Sequence, residues 1–423
     1  MIPSGINNSA TLLYTSVSYL PIHWTIPYTK GAETASLAVS SDGGSNFTKV
    51  RQGPVIPGAP YGANSLNVTA FRDPFVFQNQ YLDELLGSDN GTWYNVISGG
   101  VHGVGGSQFL YRQADPEFRD WDYLGEWWKE PVNSTWGDGT WAGRWAFVSI
   151  LSPDDEALSL TRIRQNFEVA NVFTLSETGY GNEDVASDFF TTIGTEGGDF
   201  PVPLQKSPDH DMLWINGNVS TTENGTVKFE PTMAGVLDWG IQAYAAAGKL
   251  LPASSKASQN SGTTVDRFLS FLWLTNDDYG QSAFPKAQQG WDGTLLTARE
   301  LSKGNISNVV DNSLIDEKAS WLITARDESA GTVELTTLRQ KIVREAYSAF
   351  TENATEVYHQ PARSIKSNSD FDFTPSSKFF MMRASIEFPN SARGNDSDVK
   401  AGFRILESDE ESTSIYYRES IQV

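Results

Sequence analysis

The chain has 423 residues, of which 39% are hydrophobic and 20% charged, a composition typical of a globular protein and a length that favours two domains. Its formal net charge of −21 argues against nucleic acid or an anionic membrane as a partner, because both are polyanions. The absence of cysteine excludes disulfides and thiol catalysis, and no apolar run reaches the roughly 18 residues of a membrane-spanning helix.

Histidine is also scarce. The four histidines are His23, His102, His210 and His359, and no two of them have the spacing of metal ligands. A Ser-His-Asp triad remains possible in principle, but no G-x-S-x-G motif supports it. The sequence therefore predicts neither a metal nor an organic cofactor.

Short β-prone runs, separated by Gly, Asn, Asp and Pro, predict an all-β protein. The clearest runs are 11–20, 93–100, 107–113, 167–175, 188–198, 211–217 and 267–274. An Asp-Gly-Gly sequence within 40–50 predicts a hairpin turn. Residues 337–350 fit a strand and a helix equally well, and both interpretations stay open.

The sequence changes character near residue 303. Residues 302–313 are polar and are interpreted as a linker. The segments after it alternate apolar and polar residues with a period of two, which is typical of a β-sandwich with one buried face. We therefore predict one domain over residues 1–303 and a carboxy-terminal β-sandwich over 313–423.

Three carboxylates stand in unusual places. FRDPFVF contains Asp73 directly after Arg72, NFEVANVF contains Glu168 between apolar residues, and GTEGG places Glu196 between glycines. Paired carboxylates are the groups that retaining glycosidases need, one of them as a general acid kept protonated by an apolar pocket. Taken singly, each motif is better explained by a turn, an ion pair or a solvent-facing side chain.

The order of the motifs is more specific than any one of them. FRDPFVF, NFEVANVF, GTEGG, LDWG and QGWDGTLLTARE together resemble glycoside hydrolase family 32, most of all the fungal secreted β-fructofuranosidases, inulinases and fructosyltransferases. The resemblance covers nearly the whole chain. It implies a five-bladed β-propeller, here with an incomplete first blade, followed by a β-sandwich. It also implies retaining transfer of a fructosyl unit from sucrose or a fructan to water or another sugar.

The resemblance assigns roles to individual residues. Glu168 resembles the general acid/base that protonates the leaving oxygen, and Asp73 the transition-state stabiliser that binds fructosyl hydroxyls. Arg72 and Glu196 resemble substrate ligands, and Asp238 belongs to a family motif near the pocket.

Two features depart from the family pattern. The expected nucleophile is an aspartate in an Asn-Asp-Pro-like motif well upstream of Asp73, and neither Glu33 nor Asp42 lies in such a motif. The segment 145–165 is additional to the family pattern and precedes the Asn-Phe-Glu motif. We therefore expect the sequence to be truncated at its amino terminus, and the chain itself to be inactive or nearly so.

Ten Asn-x-Ser/Thr sequons predict N-linked glycans and a secreted protein, although residues 1–20 do not resemble a signal peptide. The sequons are at Asn7, Asn46, Asn67, Asn90, Asn133, Asn218, Asn224, Asn305, Asn353 and Asn395. Two alternatives to an enzyme stay open. One is a non-catalytic, lectin-like protein that binds fructan or sucrose, and the other is a non-functional product of an incorrect gene model, which does not fold.

Overall fold

The computed structural model describes most of the chain. The described residues are 1–50, 53–60, 66–129, 135–136, 145–146, 166–181, 186–196, 210–238, 240, 243–275, 293–313, 315, 320–362, 364, 375–377, 380–387, 399–406 and 412–419. Apart from Trp145 and Ala146, the segment 145–165 lies outside these residues.

Strands dominate the described residues. The strands are β1 (Ala10–Val17), β2 (Glu33–Ser40), β3 (Thr48–Lys49), β4 (Val68–Gln78), β5 (Trp93–Val101), β6 (Gly105–Gln113), β7 (Trp121–Lys129), β8 (Thr135–Trp136), β9 (Trp145–Ala146), β10 (Asn166–Thr174), β11 (Phe189–Glu196), β12 (His210–Thr221), β13 (Val227–Val236), β14 (Ala243–Leu251), β15 (Arg267–Leu274), β16 (Thr294–Leu295), β17 (Arg299–Val310), β18 (Leu322–Asp327), β19 (Thr332–Ile342), β20 (Val399–Leu406) and β21 (Ser412–Glu419). The helices are α1 (Gln80–Leu86), α2 (Lys256–Asn260) and α3 (Arg344–Glu352), with 3₁₀ turns at Ile6–Asn8 and Ala186–Asp188. The protein is therefore mostly β, as predicted.

The seven runs predicted as strands are confirmed, as is the hairpin, whose turn places Gly43 and Gly44 at positive φ. Residues 337–350 divide between the two open interpretations, because β19 ends at Ile342 and α3 begins at Arg344. The linker interpretation of 302–313 is wrong for most of that stretch. Residues up to Val310 belong to β17, whose polar side chains lie on a partly exposed strand.

The sheets are antiparallel and follow chain order. Strands β1 to β3 form one sheet, β4 to β7 a second and β10 to β13 a third, each strand pairing with the next. A further sheet has the order β14-β15-β17-β19-β18, with β16 also paired to β15. Two hairpins, β8-β9 and β20-β21, complete the pairing.

Successive sheets pack face to face over separate apolar cores. Between the second and third sheets, Trp127 stacks on Phe229 with ring centroids 5.5 Å apart, and Trp128 lies 4.9 Å from Phe167. Similar cores lie between the first and second sheets and beside the third sheet. Several tryptophans thus serve as large apolar packing units.

The first strands of the sheets come together. Strand β10 contacts both β4 and β14, while β1 contacts β4. Because each of these strands begins its sheet, one edge of each sheet converges on a common region. Side chains that are far apart in the sequence meet there.

The chain divides into two compact units, Met1–Arg344 and Glu345–Val423. Strand β19 pairs with β17, and β18 pairs with β19, inside the first unit. The second unit contains most of α3 and the fully paired β20-β21 hairpin. No strand forms over the described residues 380–387, where the sequence pattern had indicated one. No helix among the described residues is long and apolar enough to cross a bilayer.

Candidate active site

Three of the converging strands share one irregularity. Pairing is interrupted after Arg72 in β4, after Glu168 in β10 and after Tyr244 in β14. The next residues are Asp73, Val169 and Ala245, with φ of +59°, +46° and +47°. Left-handed backbone is unfavourable for non-glycine residues. These bulges interrupt the regular alternation of the strands directly after Arg72, Glu168 and Tyr244.

Arg72 is the centre of the cluster. Its Nη1 donates to Glu33 Oε1 at 2.9 Å, its Nε to Glu168 Oε1 at 2.8 Å, and its Nη2 to Glu196 Oε2 at 3.1 Å. Nη2 also donates to Glu168 Oε1. Burial would lower the pKa of Arg72, but the charges of Glu168, Glu33 and Glu196 outweigh this effect and raise it. The guanidinium thus holds three carboxylates together.

Glu168 has partners on both carboxylate oxygens. Oε1 accepts from Arg72, and Oε2 accepts from the Tyr244 hydroxyl at 2.6 Å. Burial, followed by the charge of Glu168, raises the pKa of Tyr244 well above its ordinary value. Tyr244 therefore remains a neutral donor. It lies inside the LDWG…YAA motif, but sequence reasoning did not single it out.

Asp73 lies directly against the Glu168 strand. Its carboxylate Oδ2 accepts from the Val169 amide at 3.0 Å, and its own amide donates to Thr15 Oγ1 at 2.8 Å. Burial, together with the charge of Glu168, raises the pKa of Asp73 from 3.8 to about 6. The structure therefore places the Asp73 carboxylate against the strand that carries Glu168.

Glu196 accepts a hydrogen bond from Asn166 as well as from Arg72. Its Oε2 accepts from Asn166 Nδ2 at 2.8 Å, and Asn166 Oδ1 in turn accepts from Thr69 Oγ1 at 3.0 Å. Pro74 lies within β4 at the bulge. Strand β4 is the edge strand of its sheet, where a missing amide donor is tolerated.

Glu33 lies outside the motifs of the family resemblance, but it belongs to the Arg72 cluster. It begins β2, and its carboxylate accepts from the Phe71 amide at 2.8 Å as well as from Arg72. An acidic residue at the start of an otherwise uncharged strand was the available signal. Its connection to Arg72 spans 39 positions of sequence and could not be read locally.

Asp238 is placed differently from the other predicted residues. It pairs with Arg299, which also donates to the Leu237 carbonyl at 2.8 Å, and its Oδ1 accepts from the Gly240 amide at 2.7 Å. The hydrogen bonds of the described residues do not connect Asp238 to Arg72 or its partners. No group of three or more His, Cys, Asp or Glu residues within the described part of the chain is arranged to hold a metal ion.

Residues 5–313 match the Glycosyl hydrolases family 32 N-terminal domain. The chain belongs to glycosyl hydrolase family 32. It is 53% identical to a β-fructofuranosidase of Aspergillus kawachii, solved with glycerol, and the match covers 99% of this chain and 64% of that one with a TM-score of 0.81. A fructosyltransferase of A. japonicus is 47% identical over 99% of this chain and 66% of its own, again with a TM-score of 0.81.

This family 32 chain therefore spans less than two thirds of the length of these two solved relatives. A search of curated proteins found no match. Family membership agrees with the motifs, and it makes the Arg72 cluster the natural candidate for the active site.

Proposed function

We propose that this chain carries the acid/base side of a retaining site for β-fructofuranosides. The observation that carries the proposal is the contact of Glu168 with both Arg72 and Tyr244, with Asp73 on the adjacent amide. Retaining glycosidases need a general acid/base beside groups that stabilise an oxocarbenium-like transition state. The family match and the two named relatives support fructosides as substrates.

Within this proposal Glu168 is the acid/base. Oε1 accepts two donors from Arg72, so the transferable proton belongs on Oε2, the oxygen beside Tyr244. It would pass to the glycosidic oxygen as the bond breaks and be regained from water or an acceptor sugar. Asp73 would bind fructosyl hydroxyls more strongly in the transition state than in the ground state. Arg72 and Glu196 would complete the sugar pocket, and we retain Asp238 as a more distant substrate contact.

The nucleophile is the missing part. Glu33 is the additional carboxylate in the cluster, but both of its oxygens have donors and its side chain is 0% exposed. The 72 residues before Asp73 contain no Asn-Asp-Pro-like motif. We therefore expect this chain to bind the sugar and not to turn it over. We also propose that the sheets form a five-bladed propeller with an incomplete first blade, followed by a sandwich.

The test is to titrate the purified chain with sucrose, an inulin oligosaccharide and free fructose by calorimetry, while assaying release of fructose. Asp73→Asn should weaken fructoside binding by about tenfold or more, since a buried charged hydrogen-bond partner is lost. Asp83→Asn is the control, because that carboxylate is also buried but contacts Gly91 and Tyr94 instead. Absence of fructoside binding would contradict the proposal.

The same titration separates the second candidate, a lectin-like protein that binds sucrose or fructan, which the missing motif favours. If a longer natural product that includes this sequence also binds without turnover, the lectin-like function is correct. Turnover by such a product, lost in Glu168→Gln, identifies a hydrolase or fructosyltransferase. Turnover by the 423-residue chain would instead show that another carboxylate replaces the expected nucleophile.

We further propose that the protein is secreted and carries N-linked glycans. All eight sequon asparagines within the described residues are exposed, which supports this. Enzymatic removal of N-glycans from protein expressed in a fungal host should lower its mass. An unchanged mass would contradict the glycan proposal.

A further inference from the structure

Glu33 is a buried carboxylate with two donors of different origin. Oε2 accepts from the Phe71 backbone amide at 2.8 Å, and Oε1 accepts from Arg72 Nη1 at 2.9 Å. Its side chain is 0% exposed. A charge buried this completely is costly unless it is paired and hydrogen-bonded, and here both conditions hold.

The position of Glu33 excludes direct contact with a sugar. Both oxygens are occupied and none of the side chain reaches solvent. It can therefore be neither the nucleophile nor a ligand of substrate hydroxyls. Any effect on the site must pass through the groups that it holds.

Those groups are the ones that arrange the site. The guanidinium is planar, so fixing one edge also fixes the other. Glu33 holds the Nη1 edge of Arg72, and the Nε–Nη2 edge is then directed at Glu168, with Nη2 also reaching Glu196. Through the Phe71 amide, Glu33 also fixes the backbone just before the bulge at Asp73.

Glu33 also acts through its charge. It is one of the carboxylates whose charges keep the pKa of Asp73 raised, after burial and Glu168. Removing that charge without removing the side chain should lower the pKa of Asp73. A merely structural residue would not have this effect.

We propose that Glu33 is a positioning residue of the fructoside site, and that its buried carboxylate sets the plane of Arg72 and thereby places Glu168 and Glu196 for the sugar. This inference rests on the proposed function. It assigns a role to a residue that contacts no substrate and lies in a different sheet from each of these two glutamates.

The test compares Glu33→Gln with Asp83→Asn in the full chain. Both changes replace a buried carboxylate. Each of these carboxylates accepts one hydrogen bond from a backbone amide and one from a side chain. The amide nitrogen of the introduced glutamine must face one of the two donors, so one contact is lost. We expect Glu33→Gln to weaken binding of a fructo-oligosaccharide by about tenfold or more. We expect Asp83→Asn to change it by less than about twofold.

A pH series separates positioning from a loss of stability. Binding by the unaltered chain should change with an inflection near the Asp73 pKa of about 6, and Glu33→Gln should move that inflection to lower pH. Glu33→Asp keeps the charge and should leave the inflection in place. The inference is overturned if Glu33→Gln lowers stability as Asp83→Asn does while both the affinity and the inflection stay unchanged.

If the unaltered chain binds no fructoside, the proposed function fails. The role of Glu33 can then still be tested by a crystal structure of Glu33→Gln, which shows the orientation of Arg72. Rotation of Arg72 away from Glu168 would support positioning by Glu33. An unchanged Arg72 would overturn it. The two failures are therefore distinguishable.

Discussion

At the scale of single residues, the site depends on how hydrogen-bond donors are shared among carboxylates. Arg72 supplies donors to Glu33, Glu168 and Glu196, and Tyr244 supplies one more to Glu168. Each buried oxygen needs its donor, because an unsatisfied buried charge costs more than an unsatisfied neutral group. Removing one donor should therefore lower the free energy of unfolding.

Tyr244→Phe tests this directly. The change removes the donor that lies 2.6 Å from Glu168 Oε2, and we expect it to lower the free energy of unfolding by about 1.5–3 kcal/mol, as for a bond to a charged group. Tyr81→Phe is the control, since its hydroxyl donates to the neutral Val219 carbonyl at 3.3 Å; it should cost about 0.5–1.5 kcal/mol. Urea denaturation measures both, and equal losses would contradict the prediction.

Asp73 makes stability depend on pH. Its folded pKa of about 6 exceeds the ordinary 3.8, so the folded state holds the proton more tightly than the unfolded state does. The resulting contribution to stability is fully present below the unfolded pKa and is lost as pH rises through the folded pKa. The stability of Asp73→Asn relative to the unaltered chain should therefore rise between about pH 4 and pH 7, by up to about 3 kcal/mol.

Urea denaturation at several pH values across this range measures that difference. Asp122→Asn is the control, because its side chain is 55% exposed beside Arg112; its difference should vary by less than about 0.5 kcal/mol. A difference for Asp73→Asn that does not depend on pH would show that Asp73 titrates normally.

At the scale of strands, the main feature is a β-bulge that is repeated in three sheets. It occurs in β4, β10 and β14, each time directly after a side chain of the site. Backbone strain of this kind persists where surrounding pairing and packing impose it. The three sheets therefore accept local strain at equivalent places, where it sets the geometry of the site.

Ala245 and Ala246 allow a test of that strain. Ala245 has φ +47°, so Ala245→Gly should relieve about 1–2 kcal/mol of strain from the left-handed backbone of the folded state. Glycine also loses more conformational entropy on folding, which should cost about 0.5–1 kcal/mol. We expect unchanged or slightly higher stability. Ala246 is 0% exposed, and Ala246→Gly should cost about 1–2 kcal/mol through lost methyl burial and the same entropy. Equal losses in urea denaturation would contradict the strain interpretation.

At the scale of the whole molecule, the first compact unit extends through Arg344. Strand β17 pairs along most of its length with β19 and only through three residues with β15. A chain cut before β19 would leave β17 as a long open edge, which invites aggregation. The sheet thus requires residues beyond the predicted end of the first domain at 303.

Two truncated chains test this. Residues 1–344 retain β17, β18 and β19 together, so they should unfold cooperatively in urea and remain soluble. Residues 1–310 lose the partner of β17 and should aggregate or unfold without a cooperative transition. Cooperative unfolding of residues 1–310 would show that the predicted boundary is sufficient.

The sequence by itself determined the β class, most strand positions and the family, and it singled out Asp73, Glu168 and Glu196 as candidate site residues. Alternation and turn residues are local signals, and the order of the motifs is a property of the sequence itself. The sequence did not determine that residues up to Val310 form a strand, because polar side chains also occur on exposed strands. It also left 337–350 undecided, where strand and helix follow each other.

Only the tertiary structure decided which residues contact each other. Glu33 reaches Arg72 across 39 positions because β2 contacts β4, and Tyr244 reaches Glu168 across 76 because β14 contacts β10. Arg72 binds carboxylates, and Asp238 pairs with Arg299. Such contacts depend on how sheets pack and where strands bulge, and no local pattern of residues encodes either.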